Sequence, residues 1–361
     1  MPSLFEPLQI GDITAKNRII MAPLTRGRAD PGSIPSDLMR TYYEQRATAG
    51  LIISEATGIS QEGLGWPFAP GLWTPEQVEA WKPVTEAVHA AGGKIIAQLW
   101  HMGRLVHSSY NDGQPGASSS ATTGPGQAYT FQGKQPLEEA RALRLDEMPR
   151  VVGDYVNAAR NAMSVGFDGV QIHSANGYLL DQFLRDNSNF REDVYGGSFE
   201  NRMRLLREVT EAVCGEVGKG RVGVRLAPNG DSQGVDDSQP EALFSAVAAM
   251  LDGIGIAHLE LREPDDKGTF GSTDVPRLSP VLRKHFKGVL ITNSDRTLAE
   301  AQAELESGVA DAVSFGRPFM ANPDLPRRFA EGLDLNVLGG AKGWYAQGPE
   351  GYTDYPFAAA G

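Results

Sequence analysis

Gly169-Val-Gln-Ile172 runs directly into His173-Ser-Ala-Asn-Gly-Tyr178, a short, mostly apolar segment that ends in a cluster of polar side chains. A run of this length suits a buried strand, and polar groups gathered just past its end suit the open face of an α/β barrel. The same pattern repeats outward in both directions. Upstream, runs at 19–22, 51–54 and 95–99 are followed by helical patterns near 36–49, 75–91 and 146–165. Downstream, runs at 222–226, 257–261, 289–292 and 312–315 alternate with helical patterns near 199–217, 239–252, 279–286, 297–307 and 322–331. Apolar strands separated by helices imply a parallel sheet covered by helices. Eight such units predict a closed (β/α)8 TIM barrel. A doubly wound open sheet would favour a Gly-rich dinucleotide turn after its first strand, but the chain reads Pro23-Leu-Thr-Arg-Gly-Arg28 there.

A chain of 361 residues, 41% hydrophobic, accommodates one barrel domain over 1–361. One segment departs from the alternation. Between the third strand and its helix lies a Gly/Ser/Thr/Pro-rich insertion at about 103–143. A loop this long is usually functional or disordered, and its place after a strand puts it over the catalytic face. It is read as a lid with a small hairpin around 129–131. Its 118–123 portion could equally be a mobile surface excursion.

The formal charge of −12 argues against nucleic acid or an anionic membrane as partner. The one cysteine, Cys214, excludes a disulfide framework, a Cys-rich zinc site or an iron–sulfur cluster within the chain. No apolar stretch approaches the roughly 18 residues of a membrane span. Met1-Pro-Ser-Leu-Phe-Glu-Pro7 lacks the basic and apolar regions of a signal peptide, so a cytoplasmic enzyme is expected.

Polar and unusual residues follow every strand: Pro23, Leu24 and Thr25; Glu55, Ala56 and Thr57; Gln98, Trp100 and His101; His173, Asn176 and Tyr178; Arg225; Arg262 and Glu263; Asn293, Ser294 and Asp295; Gly316 and Arg317. The last two groups suggest a phosphate site, which in such barrels commonly lies after strands seven and eight. Gly316 allows close backbone approach and Arg317 can grip an anion, although an arginine after a strand is as often a surface or ion-pair residue. Gln98 and Arg225 suit a heterocycle edge of alternating C=O and N–H groups, such as a flavin pyrimidine, with Arg225 as a separate positive charge. Each could instead be a satisfied core residue.

His173 and Asn176 are three apart, so on a helical turn they share a face and could polarise one carbonyl oxygen. Tyr178, with an ordinary phenol pKa near 10, is a proton donor. A metal site is disfavoured, because the histidines show no His-Glu-x-x-His pairing. His89, His258 and His285 are read as structural or exposed.

Met21-Ala-Pro-Leu-Thr-Arg26, Ser54-Glu-Ala-Thr57, Ala97-Gln-Leu-Trp-His-Met-Gly-Arg104 and Phe167-Asp-Gly-Val-Gln-Ile-His173 together resemble the old yellow enzyme family. So do Asn201-Arg202, Phe315-Gly-Arg-Pro318, Asn322-Pro-Asp-Leu325 and Gly351-Tyr-Thr-Asp-Tyr-Pro356, in order along nearly the whole chain. The pattern is similar to the classical bacterial N-ethylmaleimide, pentaerythritol tetranitrate and enoate reductases. The resemblance implies a barrel with non-covalent FMN, reduced by NADPH or NADH, and ping-pong reduction of alkenes conjugated to a carbonyl or nitro group. By motif, Pro23, Leu24, Thr25, Ala56, Gln98 and Arg225 would line the flavin ring. Asn293, Ser294, Asp295, Gly316 and Arg317 would surround its phosphate, with backbone rather than the Asp295 carboxylate making the contact. His173 and Asn176 would bind the substrate carbonyl and Tyr178 would protonate the α-carbon. Trp66, Trp100, Phe270 and Tyr345 would wall the pocket.

Several family members carry histidine at the position of Asn176, so substrate preference is expected to differ there. The absence of a cysteine near Thr25 sets the chain apart from the thermophile-like subgroup. The expected partners are small α,β-unsaturated carbonyl or nitro compounds, with the protein a monomer or weak homo-oligomer. Two alternatives stand: another FMN-barrel oxidase or dehydrogenase, and a flavin- or ligand-binding protein without turnover.

Overall fold

The computed structural model describes residues 2–268 and 273–359. Its centre is a closed barrel of parallel strands: Ile19–Met21, Ile52–Gly58, Ile95–Trp100, Gly169–His173, Val222–Leu226, His258–Arg262, Val289–Asn293 and Ala312–Phe315. They follow one another around the barrel in chain order, and the eighth pairs with the first, Val313 opposite Ile19. The (β/α)8 expectation therefore holds. An antiparallel hairpin of Leu8–Ile10 and Ile13–Ala15, which the sequence pattern did not suggest, precedes the barrel.

Strand alternation sorts the barrel into two cores. Residues such as Ile19, Ile52, Ala97, Val170, Val224, Leu259, Leu290 and Val313 pack outward in the large cluster shared with the helices. Ile20, Ile53, Ile96, Ile291 and Ala312 instead cluster with Ile10, Ile13 and Ala15 of the hairpin. The hairpin thus plugs one end of the barrel with apolar surface. Above that plug the inward positions turn polar: Gln98, Gln171, Arg225, Glu260, Asn293 and Ser314 are all buried. An apolar floor beneath a polar layer leaves the C-terminal strand ends as the place for chemistry.

The helices are α1 Asp37–Gln45, α2 Pro75–Ala90, α3 Met148–Ser164, α4 Leu179–Leu184, α5 Phe199–Val217, α6 Pro240–Ile254, α7 Ser279–Leu282, α8 Leu298–Glu306, α9 Arg317–Ala321 and α10 Leu325–Glu331. Capping chemistry sets several of their starts. Thr74 with Gln77 and Thr297 with Glu300 form reciprocal capping boxes at α2 and α8, and Ser198 caps α5. Two expected helices are revised. The 279–286 pattern is helical only to Leu282, where Arg283 turns back to donate to Phe286 O and Gly288 O. The 322–331 pattern begins only at Leu325, because Asn322 precedes Pro323 and is held extended, at φ −127° and ψ 90°. The second strand runs on through Glu55, Ala56 and Thr57, with a register shift between Ile53 and Ala56, so those residues belong to the strand rather than follow it.

The insertion forms a hairpin of Gln127–Thr130 and Gly133–Pro136, as expected, and a parallel pair of Ala117–Ser118 with Arg141–Ala142. Ser118, Ser119 and Ser120 are buried, which overturns the mobile-excursion alternative for them. Ser118 Oγ donates to Gln182 Oε1 at 2.7 Å and Ser119 Oγ to Gln182 O at 3.0 Å, so the base of the insertion is tied to α4. Among the described residues, no helix is long and apolar enough to cross a membrane.

Candidate active site

His173 is the last residue of the fourth strand and pairs with Arg225 at the end of the fifth. The chain then turns through Asn176 and Gly177, both left-handed at φ 58° and 75°, before α4 begins at Leu179. His173 and Asn176 are therefore not on a helical turn, as their spacing suggested. Two successive left-handed residues make a tight reversal instead, a conformation Asn and Gly tolerate best. The reversal is firmly held. Gly177 N donates to Asp181 Oδ2 at 2.9 Å, Gln182 Nε2 to Gly177 O at 2.7 Å, and Gln233 Nε2 to Asn176 O at 2.7 Å. A side chain at 177 would meet Ser232 O at 2.4 Å, so glycine is required there by space as well as by φ.

The backbone N–H of Ala175 donates to His173 Nδ1 at 3.3 Å, which makes Nδ1 the acceptor and leaves the ring proton on Nε2. Burial, and then the positive charges of Arg225 and Arg262, hold the His173 pKa well below its ordinary value. His173 is thus a neutral donor through Nε2. Arg262 Nη1 donates to Asn176 Oδ1 at 3.3 Å. A guanidinium has only donors, so this contact requires the amide oxygen to face Arg262 and leaves the amide N–H groups for another acceptor.

The Tyr178 ring stands edge-on to His173, with centroids 4.9 Å apart, and edge-on to Trp100 at 5.0 Å. Tyr178 is half-buried by surface area but densely surrounded by protein. That burial pushes its hydroxyl up to about 12, while a hydrogen bond with Gln233 works the other way. It remains a protonated phenol across the neutral range.

Ala56, Trp100 and the partly buried Trp66 and Tyr178 belong to one apolar cluster at the mouth. The Trp66 ring lies 4.8 Å from that of Tyr129 in the insertion's hairpin and 5.4 Å from that of the exposed Tyr345. Tyr345 is brought there by its neighbours in the chain: Trp344 O accepts from Arg26 Nε at 3.1 Å and from Arg28 Nη1 at 2.7 Å. Phe270, the fourth expected wall residue, lies outside the described residues.

Half-buried Pro23, Leu24 and Thr25 leave the first strand as a loop. Buried Glu55 fixes that loop by accepting from Arg26 N and Gly27 N, each at 3.2 Å. Gln98 Nε2 donates to Gln171 Oε1 at 2.8 Å, so its carbonyl oxygen is left as the main group it can present. Arg225 is not the separate charge expected. Its Nη1 lies 2.8 Å from Glu260 Oε1 and its Nη2 donates to Asn293 Oδ1 at 2.9 Å. The Nη1 contact is a close ion pair whose N–H direction does not align as a hydrogen bond. Arg225 Nε and Nη1 are therefore buried donors without an aligned protein acceptor. Buried donors beside an acceptor carbonyl fit a pyrimidine edge carrying C=O and N–H groups.

Just past the seventh strand, Ser294 and Asp295 take positive φ of 105° and 45°. Arg317, half-buried, lies 3.7 Å from the exposed Asp295 carboxylate and 5.1 Å over the Trp344 ring. The Asp295 side chain thus turns to Arg317, so the groups at 294–295 able to meet a phosphate are backbone N–H and the Ser294 hydroxyl. A methyl group placed on Gly316 would meet only Leu24 within 4 Å, at 3.3 Å, so the glycine backbone is approachable. Among the described residues no group of His, Cys, Asp and Glu could hold a metal ion.

Glu260, Gln171 and Gln182 were not singled out by sequence, and Glu55 and Arg262 were placed at the strand ends without a role. A signal existed: His258-Leu-Glu-Leu-Arg262 alternates polar and apolar residues along one strand, which marks an inward polar face.

His101 and His258 are fully enclosed, and burial lowers both to about 4. Below the ordinary value of 6.5 the unfolded chain binds protons that these rings refuse in the fold, so stability falls as pH falls from about 6.5 to about 4. The expected loss is about 1.4 kcal/mol per pH unit for each ring over that window. Urea unfolding midpoints should decline steadily across it. A midpoint that stays flat down to the lower limit would show that the rings are protonated in the fold.

A family model described as the NADH:flavin oxidoreductase / NADH oxidase family matches residues 3–336. "Putative 12-oxophytodienoate reductase 5" of Oryza sativa subsp. japonica is 45% identical over 350 residues, 96% of this chain and 92% of that protein. The solved structure of an old yellow enzyme homologue from Zymomonas mobilis superposes with a TM-score of 0.97 at 60% identity, covering 98% of this chain and 99% of the other. Morphinone reductase in complex with tetrahydroNAD superposes at 0.93 with 45% identity, covering 99% and 98%.

Proposed function

Since the chain belongs to the NADH:flavin oxidoreductase / NADH oxidase family, that of the old yellow enzyme, we propose that it reduces carbon–carbon double bonds conjugated to a carbonyl or nitro group. It is an NAD(P)H-dependent flavin oxidoreductase with FMN and a nicotinamide nucleotide as cofactors. FMN, when bound, supplies hydride taken from the nicotinamide. Gln98 and Arg225 would hold the pyrimidine edge of its ring, with Pro23, Leu24, Thr25 and Ala56 against the remainder. Asn293, Ser294, Asp295, Gly316 and Arg317 would enclose its phosphate, with backbone N–H groups making the contact at 294–295.

One observation carries the substrate assignment: a neutral His173 with its proton on Nε2 and an Asn176 amide whose oxygen is taken by Arg262 share that arginine as a neighbour. Two neutral donors converging on one oxygen polarise a carbonyl or nitro group and draw electrons from the double bond beyond it. Tyr178, kept protonated, gives its proton to the α-carbon. Trp66, Trp100, Tyr129 and Tyr345 exclude water from the opening. An alcohol-oxidising FMN barrel would need a base at this point. His173 is a poor one, because burial and two arginines disfavour its charged form. Names of relatives that specify 12-oxophytodienoate or morphinone reduction support a reductase over a protein that only stores ligand.

Anaerobic spectroscopy tests the proposal. NADPH should bleach the FMN absorption of the purified protein, and 2-cyclohexenone or maleimide should restore it. Flavin that bleaches with NADPH but is reoxidised by no enone or maleimide would leave an oxidase or binding protein as the better description.

A further inference from the structure

We propose that Glu260 sets the charge presented to the flavin's pyrimidine edge and thereby holds down the reduction potential of the bound cofactor. This rests on the reading that Gln98 and Arg225 meet that edge. Glu260 lies fully buried in the sixth strand, opposite Arg225 in the sheet register. Its Oε1 is 2.8 Å from Arg225 Nη1 and accepts from Ser314 Oγ at 2.6 Å. Its Oε2 accepts from Gln171 Nε2 at 2.9 Å, and Gln171 Oε1 in turn accepts from Gln98 Nε2 at 2.8 Å. One carboxylate therefore supports both pyrimidine-edge residues from the floor of the site, Arg225 directly and Gln98 through Gln171.

The electrostatic consequence follows from the sign of each charge. Reduction adds negative charge to the ring system, which a guanidinium stabilises and a carboxylate opposes. Arg225 alone would strongly favour the reduced cofactor. Paired with Glu260 at this distance, it presents a nearly neutral unit with two oriented donors. The pair keeps the geometry of Arg225 while cancelling much of its charge, so hydride is released to the alkene more readily. Glu260 is a positioning residue, acting through Arg225 and Gln171 rather than on the reacting atoms.

Measuring the reduction potential of the FMN-loaded protein tests this without reference to turnover. Glu260→Gln should raise the two-electron potential by about 30–60 mV, equivalent to a ten- to hundredfold gain in preference for reduced FMN. Ser314→Ala, which removes a donor to the carboxylate and leaves its charge less shielded, should lower the potential. An unchanged or lowered potential in Glu260→Gln overturns the proposal. Should that variant fail to fold, with a buried guanidinium left unpaired, an unchanged or raised potential in Ser314→Ala overturns it equally. Arg225→Lys separates the two possible causes of failure. If it shifts the potential and Glu260→Gln does not, the tuning role alone is wrong. If neither shifts it, the placement of the pyrimidine edge is wrong as well.

Discussion

Tyr178→Phe should slow the reduction of 2-cyclohexenone by the prereduced enzyme about 10²–10⁴-fold, the range typical for loss of a general acid. Bleaching of the flavin by NADPH should proceed at the wild-type rate. The asymmetry follows from the geometry. In the proposed reaction the hydroxyl is the proton source for the substrate carbon, whereas hydride transfer from the nicotinamide requires no protein proton at that place. Phenylalanine should preserve the ring contacts with Trp100 at 5.0 Å and with His173 at 4.9 Å, so the pocket shape is retained. Stopped-flow measurement of the two half-reactions separates them. Equal slowing of both would assign Tyr178 to ligand placement rather than to proton donation.

The second large effect is expected at the paired donors. On the proposed reading, replacing both His173 and Asn176 by Ala would remove two hydrogen bonds to an oxygen that carries negative charge in a bound phenolate. Bonds to charged groups contribute about 1.5–3 kcal/mol each, so phenol binding should weaken about 10²–10⁴-fold. The long-wavelength charge-transfer band of the phenol complex should vanish with it. The two side chains are held differently, and the single variants should reflect that. His173 is fixed by its strand and by Ala175 N, while Asn176 relies on Arg262 to keep its amide oxygen turned away. Titrations that match those of the unmodified protein would place the substrate oxygen elsewhere in the mouth.

Much of the architecture is legible in the sequence because its signals are local. Strands enclosed on both faces read as apolar runs, as at Val222–Leu226 and Ala312–Phe315, and capping residues such as Thr297 mark where helices begin. Most of the expected site residues sit at the C-terminal ends of strands, which in a closed parallel barrel share one face; Phe270 lies outside the described residues. Local pattern failed where the backbone did something that spacing cannot encode. The interval of three between His173 and Asn176 is compatible with a helical face, yet the Asn176-Gly177 pair takes left-handed angles and brings both side chains to the mouth by a reversal.

By itself the sequence determined the barrel, the mouth and the residue types gathered around His173–Tyr178, because strand periodicity and motif order reside in the chain itself. Only the tertiary structure decided what those residues are electrically. Arg225 reads as a lone cation until the sixth strand sets Glu260 beside it, 35 residues further along. His173 reads as a carbonyl donor of unspecified charge, and burial with two arginines from other strands holds it neutral. Asn176 reads as a donor, and Arg262 supplies the reason by taking the amide oxygen. Charge state and amide orientation depend on neighbours through space at low dielectric, and those neighbours come from strands far apart in the chain.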